Sequence, residues 1–163
     1  MRLISDKEAY TVDFESPVAI DNPYSRLPIG CYNSAGNAAI ALGIFKAAMD
    51  DLVKICFERV TPGKNPDLRD RERIQSVVAR SKAIYKAMRG QLHDAMAVIW
   101  DDAQKGNEYS DEDLADVWSS SVLAAETSRT MVSEIYAAAG TVSLYTENKI
   151  ERAHRDIHAV LQH

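Results

Sequence analysis

The chain has 163 residues, of which 46% are apolar and 26% charged, so it is neither a disordered polymer nor a low-complexity chain and can bury a core of its own. Seven Gly and five Pro among many Ala favour helix over a many-turned β fold. The net charge of −5 excludes a bulk basic surface for nucleic acid, and two cysteines, Cys31 and Cys56, make no disulfide framework, so a reducing, cytoplasmic setting is expected.

Residues 1–33 carry Pro17, Pro23 and Pro28 and the alternating stretch Tyr10-Thr-Val-Asp-Phe14. They read as an extended arm, or as the remnant of a preceding β domain, with a boundary near Leu27 to Asn33. Asp6, Lys7 and Glu8 stand where a signal peptide needs an apolar stretch. The longest uncharged run, Leu27 to Phe45, is interrupted by one Pro, three Gly, two Asn and a Ser. It is too polar to span a bilayer, and no membrane partner is expected.

From residue 34 to 163 a 3.6-residue period takes over. The first helical segment runs from about Ser34 to Arg59, with Ile40, Ile44, Ala47, Ala48, Leu52, Ile55 and Cys56 on one face; Pro62-Gly63 ends it. The second opens near Asn65-Pro66-Asp67 and carries a stripe from Ile74 through Val78, Tyr85 and Leu92 to Ile99. The third opens at Ser110-Asp-Glu-Asp113, a capping-box-like start, and its stripe is Leu114, Val117, Trp118, Ser121, Val122, Ala125, Ser128, Val132, Ile135, Tyr136 and Ala139. Gly140-Thr141 breaks it. A short fourth segment follows Asn148, with Ile150, Ala153, Ile157, Val160 and Leu161 on one face. The economical architecture is all-α: an antiparallel four-helix up-and-down bundle with an extended N-terminal arm. Small residues on several faces of the third segment point to close helix packing or a subunit interface.

Charge is segregated. Seven Lys/Arg stand against three Asp/Glu between Asp67 and Arg89, and eight Asp/Glu against one Lys between Asp94 and Asp116. Two solvated faces account for this. The sharper reading is that the basic face meets a phosphate-bearing ligand or an acidic patch on a second subunit.

Candidate chemistry concentrates in the last 30 residues. His154 and His158 share a helix face with Glu151 one turn before, a spacing usable for a metal but equally for a polar surface. His158 or His163 could transfer protons near neutral pH, steered by Arg155 or Asp156. Arg152 and Asp156 are spaced as a surface ion pair. Gly140 is either a helix stop or a close backbone approach to a phosphate or ring. No nucleophile elbow, phosphate-binding loop, dinucleotide fingerprint or calcium loop is present in the sequence, and no metal is expected.

The tail Tyr136-Ala-Ala-Ala-Gly140-Thr-Val-Ser-Leu-Tyr145, then Asn148, Arg152-Ala-His-Arg155-Asp156-Ile-His158 and Gln162-His163, resembles the C-terminal helical domain of the acyl-CoA dehydrogenase superfamily. The similarity is to the type 2 branch, which also occurs in two-component flavin-dependent monooxygenases. Ala38 to Asp51 resembles that domain's first helix, and the likeness extends over roughly Leu27 to His163. It implies a bundle that builds a homodimer or homotetramer around FAD or FMN. It implies further that Gly140 and Thr141 lie in the turn approaching the flavin nucleotide, with Arg152 a third cofactor-binding candidate. The Arg155-Asp156 pair matches a site-bordering Arg-Asp of the family. His163 matches a histidine that monooxygenase members place near the reactive ring, where it assists protonation, and His158 joins these as a catalytic candidate. Gln162-His163 leans toward the oxygenase branch, since dehydrogenase members tend to carry a catalytic Glu near this point. The family's N-terminal helical domain, most of its β-barrel and an Arg-x-x-Phe-Gly segment have no counterpart in the chain. The expected partners are therefore the flavin-binding domains or a flavin reductase. The competing expectation is a non-catalytic bundle for oligomerisation or small-ligand binding.

Overall fold

The computed structural model describes residues 21–58 and 67–162. Of the extended arm expected over residues 1–33, residues 1–20 with their strand lie outside the described residues, as does the catalytic candidate His163; the described remainder is largely helical and not extended, because Asn22 caps one turn and Pro28 starts a long helix. A single turn, α1 (Pro23–Arg26), precedes the first long helix, α2 (Ile29–Glu58). Then come α3 (Glu72–Lys105), α4 (Asp111–Ala139) and α5 (Lys149–Val160). Short 3-10 segments, Leu68–Asp70 and Gly140–Leu144, lead into α3 and out of α4. Among the described residues no strand occurs, and no helix is long and apolar enough to cross a membrane.

The helix ends follow local chemistry. Ser110 accepts from the Asp113 N–H at 3.1 Å to start α4, and three acidic residues fill its first turn, where the helix dipole favours them. Asn148 accepts from the Ile150 N–H at 2.8 Å to start α5. Gly106 closes α3 with φ +71°. α2 begins five residues before the sequence period announces it, because Pro28, whose fixed φ suits a helix start, already accepts the Tyr32 N–H. α3 begins later than expected, since the chain takes a 3-10 turn through Leu68–Asp70 before Arg71 caps the helix.

α2 and α4 form the central pair. Gly30 lies against Trp118, Ala38 packs with Ala124, and Phe45 and Leu52 share a cluster with Met131 and Ile135. Contact therefore advances in the same direction along both helices, which run parallel. α3 runs antiparallel on one side, since Ile99 meets Cys31 and Val117 while Ile74 meets Cys56. α5 runs antiparallel on the other, burying Ile150, Ala153 and Ile157 against α2 and α4. This is the up-and-down bundle expected.

Most of the marked stripes turn inward: Ala48, Leu52 and Cys56 of α2 and Val117, Ser121, Ser128, Val132 and Ile135 of α4 are buried. The exceptions are bulky: Ile40, Trp118 and Val122 are each more than half exposed, whereas Ala38, Ala41 and Ala124, outside the stripes, are buried. The central pair approaches on small side chains, and that decides which arc of α4 turns inward. Ser121 and Ser128 return their hydroxyls to the carbonyls of Val117 and Ala124, each at 2.7 Å, so a polar atom adds no cost to the seam. Cys31 and Cys56 are free and buried. Trp118, Val122 and Leu123, with Leu114 and Ala115, leave an apolar strip on the outer face of α4.

Two opposite stability effects follow. Phe45 is fully buried and meets Tyr85 edge-on at 6.0 Å, so Phe45→Ala should cost about 3–5 kcal/mol in denaturant unfolding. The Ser81 hydroxyl is buried with no hydrogen-bond partner among the described residues. Ser81→Ala should leave stability unchanged or raise it by up to ~1 kcal/mol.

Candidate functional site at the α4–α5 turn

The site candidates converge on the turn between α4 and α5 and on the first three turns of α5. Gly140 ends α4 with φ +67° and ψ −146°, a region that only glycine occupies without strain. A Cβ there would meet no atom within 4 Å. The glycine is thus required by backbone conformation, and its outer side is open. Gly140 and Thr141 are both exposed. The Ser143 hydroxyl, fully buried, donates to the carbonyls of Tyr136 at 3.0 Å and Gly140 at 2.6 Å, pinning the turn beneath them.

Successive α5 residues are rotated by about 100°, so the charged candidates divide among faces. Arg152 pairs with Asp156, Nε to Oδ2 3.4 Å, the surface pair expected from spacing. The two border a groove of about 470 Å³ shared with Asp50 and Asp51 of α2. Arg155 does not turn to Asp156 beside it. It donates from Nε to Glu151 Oε1 at 2.7 Å, one turn back. The other carboxylate oxygen of Glu151 is buried with no hydrogen-bond partner among the described residues. His158 lies on the opposite flank from Asp156, edge-on to His154 with ring centroids 5.0 Å apart.

The spacing of Glu151, His154 and His158 does not become a metal site. Among the described residues no group of three or more His, Cys, Asp or Glu could hold a metal ion. The His154 ring is stacked on Tyr136 of α4, with centroids 4.5 Å apart and planes at 28°, and Glu151 is committed to Arg155. Sequence reasoning did not find this Tyr136–His154 stack. Its only sequence signal is an aromatic residue four before Gly140, facing a histidine across a turn of unknown geometry.

The arginines of α5 face outward. The guanidinium side chains of Arg152 and Arg155 are 75% and 62% exposed, each paired, among the described residues, with a carboxylate on its own helix. The Gly140-Thr141 turn is exposed as well. A ring pocket is not enclosed by the described residues of this chain alone.

Comparison with known proteins decides the family. Residues 35–163 match the family model described as acyl-CoA dehydrogenase, C-terminal domain. The chain belongs to this family. The domain is 22% identical over 152 residues to an indole-3-acetate monooxygenase of Acinetobacter baumannii, covering 90% of the chain and 38% of the relative. It is 24% identical over 144 residues to an indole-3-acetate monooxygenase of Pseudomonas putida, covering 88% and 37%. The chain thus spans well under half the length of these relatives. Its fold is that of XiaF from a Streptomyces species, solved in complex with FADH2 and glycerol. The TM-score is 0.80 at 22% identity, over 87% of the chain and 36% of XiaF.

His154 gives the site a measurable pH response. Burial, and then the neighbouring His158, hold its pKa below the ordinary histidine value, with Glu151 acting in the opposite direction. The unfolded chain therefore binds the proton more readily than the folded one. The stabilisation is present above the unfolded value near 6.5 and is lost as pH falls from there through the lowered folded value. Thermal melts between pH 7.5 and 5 should show this loss, and His154→Phe should flatten it.

Proposed function

We propose that this chain is the C-terminal helical bundle of a flavin-dependent, monooxygenase-type oxidoreductase, supplying one wall of the flavin site and a surface for self-association. One observation carries the reading: the family match spans most of the chain, and both curated relatives above are aromatic-acid monooxygenases. The substrate class on this reading is a small aromatic acid, and the setting is the reducing cytoplasm, where both thiols stay free.

A reduced flavin, FAD or FMN, when bound supplies the electrons for activating dioxygen toward an aromatic substrate. The residues of this chain do the holding. Arg152 and Arg155 present cationic groups to the nucleotide phosphates, and Gly140 with Thr141 lets the backbone come close. Asp156 and Glu151 orient the two guanidinium groups. His158 and His163 are the imidazoles that would move protons at the ring's edge. Flavin-binding domains, a flavin reductase and further copies of the chain are the partners this requires.

A second reading is a non-catalytic bundle for assembly or for a small ligand. The observation behind it is that both arginines already have carboxylate partners on α5, so neither demands an external anion.

Titration of the purified chain with FAD and FMN, followed by flavin fluorescence with mass read by light scattering, separates the two. The flavin reading expects saturable binding by an oligomer. It also expects at least about tenfold weaker binding for Arg155→Ala, the range for losing one charge-assisted contact. Gly140→Val should weaken binding too, and should cost the fold about 1–3 kcal/mol through its positive φ. An oligomer with no flavin affinity would overturn the flavin reading and leave the assembly reading standing.

A further inference from the structure

The ridge Leu114, Trp118, Val122 and Glu126 runs along the outer face of α4 and, with Leu123, borders a shallow groove of about 790 Å³. Trp118 and Val122 are each more than half exposed. Glu126 is the one charged residue on the ridge and has no ion-pair partner among the described residues. The ridge begins where the described chain begins. Leu114 and Leu27 share a cluster with Cys31 and Val117, and Gly30 lies against Trp118. Asp21 is held at this end by Arg26, whose Nε donates to its Oδ1 at 2.8 Å. Twenty residues precede Asp21 in the sequence. The nearest of them, 15–20, span up to about 20 Å, enough to bring Phe14 to Leu114.

The stretch ahead of these, Tyr10-Thr-Val-Asp-Phe14, has no part in the flavin site proposed above. Its apolar side chains alternate with polar ones. In an extended chain, side chains two residues apart share a face and are separated by about 6.7 Å. On a helix, residues four apart rise by about 6 Å. The two rows therefore keep step: Phe14 over Leu114, Val12 over Trp118, Tyr10 over Val122. The mismatch accumulated over two steps is only about 1.4 Å, which side chains can absorb. Thr11 and Asp13 then point to water, and Lys7, three residues beyond Tyr10, comes within reach of Glu126.

We propose that residues 7–14 of this chain lie extended along the α4 ridge in this register and close its groove within the same molecule. Burial of Trp118 and Val122 under Tyr10, Val12 and Phe14 supplies the attraction, and the Lys7–Glu126 pair fixes the direction of the segment. A tether this short holds the segment at an effective concentration of about 1 mM, which a separate chain at micromolar concentration does not match. The occupant is therefore the chain's own segment. The inference does not depend on the flavin reading.

Cross-linking of the full chain tests it. With Tyr10→Cys and Val122→Cys together, mild oxidation should close a disulfide within one chain. It should close about tenfold faster or more than with Thr11→Cys and Val122→Cys, since the neighbouring residue points to the other face. The native thiols of Cys31 and Cys56 are buried, so the introduced pair reacts first. Acrylamide quenching of Trp118, read in a Trp100→Phe chain, gives a second measure that needs no disulfide. Val12→Asp or Phe14→Asp should raise it by about twofold, as the ring returns from cover to more than half exposure. Thr11→Asp should leave it unchanged, and circular dichroism melts check that each variant is folded. If the Tyr10→Cys and Thr11→Cys chains close at equal rates, or if quenching ignores Val12→Asp and Phe14→Asp, the proposal is overturned. Disulfides that join two chains, seen as dimers on a non-reducing gel, overturn it as well, because the ridge is then covered by another copy.

Discussion

The seam between α2 and α4 governs this bundle. Two long parallel helices without a direct connection approach on Ala38, Ala41, Ala48, Ala124, Ser121 and Ser128. Bulky side chains there would push the pair apart. α3 and α5 would then lose the shared floor against which Ile74, Ile99, Ile150 and Ile157 are buried. Close packing of this kind tolerates little change in volume in either direction. It also explains how serine hydroxyls sit in the middle of the protein: each returns to its own helix and leaves the neighbour an essentially apolar surface.

The sequence reveals the four main helices, the starts of α4 and α5 and the family likeness, because these depend on local signals, while the single turn α1 and the starts of α2 and α3 are not placed by it. Ser110 and Asn148 cap as their side chains dictate, and Gly140 stops α4 as a residue of its kind does. The choice of inward face is less visible. Bulky apolar residues mark Ile40, Trp118 and Val122 as core, yet the buried arc is set by how closely two non-consecutive helices approach. That is a tertiary property favouring alanine and serine. Residues 29–33 read as part of the arm because Pro17, Pro23 and Pro28 mark it as broken, although proline suits a helix start.

At the candidate site the sequence names the right segment and leaves its wiring open. Arg152 and Asp156 pair as their spacing indicates. Arg155, beside Asp156 in sequence, turns instead to Glu151, because adjacent helical residues point apart while residues four apart are neighbours. The stack of His154 on Tyr136 needs the α4–α5 turn to fold back at one angle, which Gly140 and Ser143 fix together.

The short helix α1 has a bearing on reach. Arg26 donates to the Ala103 carbonyl at 3.1 Å, and Tyr109 donates to the Arg26 carbonyl at 2.8 Å, which moors the start of the described chain to the α3–α4 end of the bundle. The Gly140 turn lies at the other end, a whole α4 away, about 43 Å at 1.5 Å per residue. The described start of the chain and the open turn that ends α4 are thus held at opposite ends of one bundle, with the full length of that helix between them.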